Sequence, residues 1–136
     1  MRRLVLSSLA ATLVGITTIA FAQSPRHVQA DFTPFASSGI SGTVDLTEQA
    51  VRGQTTVKVL LKGLQPGAEY FTTWYSNGSC TTEANSSLNV IGTFTANPAG
   101  NATMLGRLSK TISEIGSVSV TLSSDQSLQA CATIPQ

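Results

Sequence analysis

The stretch Val57–Tyr75, VKVLLKGLQPGAEYFTTWY, holds two strand-like runs and the turn that joins them, and its pattern sets the fold class. Val57, Val59 and Leu61 alternate with Thr56, Lys58 and Lys62, and only Leu60 breaks the polar face. Successive side chains of a strand point to opposite faces, so a period of two marks a strand with one side on a core. Gln65-Pro66-Gly67-Ala68 then reads as a tight turn, because proline presets φ and glycine accepts positive φ. Tyr70-Phe71-Thr72-Thr73-Trp74-Tyr75 is aromatic and β-branched on both faces, the composition that strands favour.

Working outward, the same period recurs. Ile40, Val44 and Leu46 alternate with Ser41, Thr43, Asp45 and Thr47. Further strand-like runs follow at residues 88–95, 102–108, 117–122 and 128–134, with a second tight turn at Asn97-Pro98-Ala99-Gly100. One helical turn fits near Leu108–Ile115. Gln23–Ala30 is polar and proline-containing, and reads as the start of a loose N-terminal lead-in over residues 23–38, ahead of a β domain over 39–136. The expectation is an all-β fold: an immunoglobulin-like Greek-key sandwich or flattened barrel of about 7–8 antiparallel strands with one disulfide.

The N-terminal residues read as an address. Arg2 and Arg3 precede an apolar run from Leu4 to Phe21, and Ala20-Phe21-Ala22 offers a small-x-small cleavage pattern, so residues 1–22 are expected to be a signal peptide. Ser7, Ser8, Gly15, Thr17 and Thr18 interrupt the run, which makes it a poor membrane anchor. Removing 22 of the 136 residues leaves 114, enough for one core. Removing Arg2 and Arg3 from the eight basic residues leaves six against seven acids, without clusters. Such a balance gives no basis for nucleic acid as a partner or for attraction to anionic membranes. Cys80 and Cys131 are the only cysteines, and in an exported chain, secreted or periplasmic, two cysteines are expected to pair.

Catalytic constellations are sparse. A redox copper site needs several imidazoles or thiolates and a catalytic zinc three protein ligands, whereas His27 is the single histidine and falls in the expected lead-in as a solvated residue. A Ser-His-Asp set cannot be assembled from it, and Gly39, Gly42 and Gly53 are too scattered for a phosphate loop. Asp45 with Glu48, or Glu69 with Glu83, could pair as carboxylates, but acids at strand ends are ordinarily solvated.

Two family resemblances are carried by quoted residues. Leu64, Pro66, Gly67 and Tyr70 match the Leu-x-Pro-Gly-x-x-Tyr corner of fibronectin type III domains, where a tyrosine hydroxyl locks the crossover between strands; this would imply an adhesion module. In that family the corner comes late, whereas here 66 residues follow it. The chain more closely resembles the copper–zinc superoxide dismutases over about residues 39–135. VKVLLKGLQPGAEYFTTWYSNGSC is similar to that family's strand, Gly-Leu-x-Pro-Gly turn, metal-ligand strand and following cysteine. SLNVIGTFTANPAGNAT is similar to its next hairpin, and IGSVSVTLSSDQSLQACATI to its last two strands with the second cysteine. Carried over residue by residue, the two histidines of the family's Gly-Phe-His-x-His strand fall on Thr72 and Trp74, the late copper histidine falls near Thr121 or Leu122, and the zinc loop is reduced to Thr81–Ser87 without histidine. The resemblance therefore implies the family's fold without its metals. No catalytic, cofactor-binding or metal-binding residue is expected and no cofactor, and the chain reads as a non-catalytic binding or structural module with an unidentified protein or glycan partner. The alternative that the resemblance implies is superoxide dismutase activity with metal held at an unrecognised or intersubunit site. Trp74 is expected to fill core, Tyr75 and Asn77 to offer a partner contact, and the loop Tyr75–Ser87, tied down by Cys80, to be the working surface.

Overall fold

Alternation of buried and exposed side chains builds the architecture strand by strand. On β3 (Gln54–Lys62), Thr55, Val57, Val59 and Leu61 are buried while Lys58, Leu60 and Lys62 face out. The structure, a computed structural model, describes residues 24–49 and 53–136, with residues 15 and 17–19 upstream; the expected signal peptide, residues 1–22, lies almost wholly outside the described residues. Seven further strands accompany β3: β1 (Arg26–Pro34), β2 (Ser41–Gln49), β4 (Glu69–Tyr75), β5 (Val90–Thr95), β6 (Ala102–Leu108), β7 (Ser117–Leu122) and β8 (Leu128–Thr133). Single 3-10 turns stand at Ser86–Leu88 and Ile112–Glu114, the second where one helical turn is expected. No helix among the described residues is long and apolar enough to cross a membrane.

The strands form one antiparallel sheet in the order β5-β4-β7-β8-β1-β2-β3-β6. Its two outer strands, β5 and β6, come together and nearly close it into a barrel. The seam is built from small residues: a Cβ on Gly106 would run into the Ile91 side chain, and one on Gly92 would stand 2.7 Å from Met104 Sδ. The interior is apolar. Val44, Leu46, Val57, Val59, Val118 and Val120 are fully buried, each stabilising the fold by about 1.5–3 kcal/mol.

The stretch expected as a loose lead-in, residues 23–38, instead holds β1. Its residues Arg26–Phe32 pair with β2, and Thr33 and Pro34 pair with β8, so this strand joins the two halves of the sheet. Ala30 and Phe32 are buried and Val28 packs against the core, a short period-two pattern masked by polar neighbours and flanking prolines. His27 accordingly sits on a strand, largely exposed, with Nε2 3.6 Å from Asp45 Oδ1 on β2.

The tyrosine corner forms. Tyr70 is 1 % exposed, and its hydroxyl oxygen accepts the Gln65 N–H at 3.0 Å, bracing the Pro66-Gly67 turn. It leads into the fourth of eight strands rather than the end of a seven-strand sandwich, unlike the fibronectin pattern. Tyr70→Phe is expected to leave that N–H unpaired and lower stability by about 1–2 kcal/mol in denaturant unfolding, with unchanged far-UV circular dichroism.

Candidate functional site: a groove beneath a disulfide-tied loop

Strand β4 presents different chemistry on its two faces. Tyr70 and Thr72 are buried towards the barrel interior, and Trp74, half-buried, packs against the same core. Glu69, Phe71, Thr73 and Tyr75 lie on the outer face. Strand β7 behaves alike. Val118 and Val120 enter the core, while Ser117, Ser119 and Thr121 on the other face are also buried. The segment 76–89 between β4 and β5 crosses over Ser117, while Ser119 meets Tyr75 and Thr121 lines a groove.

That segment is fastened at several points. The Cys80–Cys131 disulfide ties it to β8, with the two Cα atoms 6.0 Å apart. Ser117 Oγ donates to the Asn77 carbonyl at 2.7 Å and accepts the Cys80 N–H at 3.0 Å, and Thr133 Oγ1 donates to the Gly78 carbonyl at 2.7 Å. Gly116 makes room for the crossing chain, since a Cβ there would stand 2.6 Å from the Asn77 carbonyl carbon. Cys80 itself takes φ 53°, left-handed backbone that costs a non-glycine residue about 1–2 kcal/mol and that the surrounding ties hold in place. At the loop's outer end, Glu83 Oε1 accepts the Ser76 N–H and hydroxyl, the Asn77 N–H and the Asn77 amide, at 2.6–3.0 Å. Hydrogen bonds from the Ser76 hydroxyl and then the Asn77 N–H hold the Glu83 carboxyl below the usual glutamate range.

Between loop and sheet runs an open groove of about 910 Å³. Phe71 lies in its floor, with Thr93 on β5 and Thr121 on β7 directly opposite it in register, and Glu69 lies one pair further along β4. Thr81, Thr82 and Ser87 line the loop side. Thr73 is 3 % and Thr121 7 % exposed, and neither hydroxyl has a hydrogen-bond partner among the described residues. Yet no buried polar side-chain atom among the described residues is left unsatisfied, so these two hydroxyls are the parts of their residues that open to the groove.

The residues singled out from sequence have distinct fates. Cys80 and Cys131 pair as expected. Tyr75 is on the outer face and 7 % exposed, its hydroxyl 3.2 Å from Ser119 Oγ, where it forms part of the groove's lining. Asn77 shapes the loop: its amide donates to Glu83 and the Thr81 carbonyl, and its Oδ1 accepts the N–H groups of Ser79 and Thr81. Trp74 abuts the core, with Lys110 Nζ 5.6 Å from its ring centroid. The carboxylate pairs are otherwise engaged: Glu48 accepts the Ile112 N–H, Asp45 faces His27, and Glu83 ties the loop. Of the groove residues, Phe71 and Thr73 were not singled out from sequence, and Thr121 entered only as a position near the resembled family's late copper histidine. Their signal is the unbroken hydroxyl series Ser117, Ser119, Thr121 alternating with Val118 and Val120, the mark of a strand with a second, polar interface.

The residues at the resembled family's ligand positions do not fit its metals. Thr72 Oγ1 is directed to the Gly92 carbonyl and Met104 Sδ, and an indole offers a proton donor but no lone pair. Both positions face the interior, away from the groove, and the two sulfurs are bonded to each other. Among the described residues no group of three or more His, Cys, Asp or Glu side chains stands close enough to hold a metal ion.

Replacing both cysteines by serine is expected to lower stability by about 4 kcal/mol and to bring the first proteolytic cleavage into residues 76–89, read by denaturant titration and mass mapping of fragments. Because the folded Glu83 carboxyl is depressed, its hold on the loop is complete above the ordinary glutamate value of about 4.3 and is lost as pH falls through the lower folded value. Amide exchange at Ser76 and Asn77 should therefore accelerate only below about pH 4, and Glu83→Gln should show fast exchange there already at neutral pH.

Neither a protein-family model nor a curated protein sequence matches this chain.

Proposed function

We propose that the chain is an exported, superoxide dismutase-like β module that has exchanged metal chemistry for binding, with the groove beneath the disulfide-tied loop as its working surface. The observation that carries this reading is the groove's lining: hydroxyls around one phenyl ring, beside a bonded cysteine pair, with no imidazole. Such a surface orients a ligand through hydrogen bonds and apolar contact, and it carries no imidazole or free thiol to ligate a redox metal. The family relation draws support from an eight-stranded, nearly closed sheet in which Cys80 of the loop after β4 bridges to the last strand. Export draws support from the basic-apolar N-terminus and from a disulfide, which persists in oxidising compartments.

The test is elemental analysis of the purified native protein together with superoxide consumption. Less than a tenth of an equivalent of copper or zinc, with no consumption above the uncatalysed rate even after incubation with both metals, is the expected result. Stoichiometric metal with turnover would replace this reading by a dismutase whose ligands come from more than one subunit.

A further inference from the structure

Resting on that reading of the groove, we infer that its ligand is a neutral oligosaccharide, laid across Phe71 with its hydroxyls held by the threonines on either side. Three properties of the groove select this chemistry.

The first is charge. Glu69 is the one carboxylate on the lining, and no lysine, arginine or histidine is there. Phosphates, carboxylates and sulfated chains would enter a site with an acid and no cation to offset their desolvation. A neutral ligand meets no such penalty.

The second is the arrangement of hydroxyls around an apolar floor. Thr93 and Thr121 flank Phe71 on adjacent strands in register, so their side chains stand about 10 Å apart with the ring midway. The hydroxyls of Thr73 and Thr121 open to the groove without a protein partner, and the loop adds Thr81, Thr82 and Ser87 opposite. A pyranose ring has this layout in complement: an apolar C–H face to lie on the phenyl ring and equatorial hydroxyls that both donate and accept at its rim. Hydroxyl side chains also donate and accept, so they match a sugar hydroxyl in either sense.

The third property bears against a peptide strand added to the floor. Peptides laid in sheet grooves gain affinity by pairing main chain with an open edge. The floor strand β4 has none, since β5 and β7 occupy both its sides. The binding must come from side chains, as it does for a saccharide.

The experiment is an NMR titration of the isotopically labelled, disulfide-bonded protein with cello-, malto-, manno- and chitohexaose at millimolar concentration, alongside polygalacturonate as the anionic counterpart. At least one neutral chain is expected to give saturable shifts confined to Phe71, Thr73, Thr121 and residues 81–87. Phe71→Ala is expected to weaken binding about tenfold and Phe71→Trp to retain it, as removal and enlargement of a stacking face require. If Phe71→Ala does not fold, Thr121→Val, which keeps the shape and removes one hydroxyl, is expected to weaken binding several-fold. No shift with any neutral chain, binding unchanged in the folded variants, or polygalacturonate binding more tightly than all four would each overturn the saccharide assignment. None of those results alters metal content or superoxide consumption, so the non-catalytic reading stands or falls separately.

Discussion

The organisation of this protein depends on holding a polar loop against a polar sheet face. Ser117 meets segment 76–89 through its hydroxyl and the backbone of Asn77 and Cys80, with Tyr75 and Ser119 joined by their hydroxyls alongside, and each such hydrogen bond exchanges one made with water for another of similar worth. An interface of that kind has a small net stability, unlike the valine-lined barrel interior on the other side of the same strands. The Cys80–Cys131 bond supplies what hydrophobic burial does not. It anchors the loop near its start, close to the hydroxyls of Ser117 and Thr133 and to the backbone opening at Gly116. The groove exists because the loop is tethered at this end and stands off the sheet further along.

Much of this was legible in the sequence. Val57, Val59 and Leu61 against Lys58 and Lys62 mark an inward and an outward face, and the Pro66-Gly67 and Pro98-Gly100 turns mark where strands end. What escaped has physical reasons. β1 carries only Val28, Ala30 and Phe32 towards the core, and its strength comes from pairing with β2 and β8, which are distant in the chain or read only after folding. Tyr75 follows the strand's alternation and is on the outer face, but a sequence period reports which face a side chain takes, not how far its neighbours bury it there. The groove escaped for the same reason: Phe71, Thr73 and Thr121 converge through cross-strand register and a disulfide spanning 51 residues, both non-local.

The two faces of β4 also explain how two of the resembled family's ligand positions come to lie away from the present groove, whereas Thr121, near the late one, lines it. Thr72 and Trp74 belong to the interior, where one completes the seam near Met104 and Gly92 and the other packs against the core. Their neighbours Phe71 and Thr73 meet the groove. Adjacent positions on a strand thus serve opposite surfaces, and a single-residue difference in how two sequences are laid together changes which side chains are credited with the chemistry.

Trp74 has a practical corollary. It is the single tryptophan of the whole chain, half-shielded at the end of β4 with the ammonium of Lys110 above its ring. Indole emission, excited beyond the tyrosine band, therefore originates at one location, on the barrel side of the sheet, and a positive charge near the indole makes the signal sensitive to salt and to movement of the Lys110–Glu114 turn. An optical assay of this kind reports from the barrel side of β4, opposite the face that lines the groove.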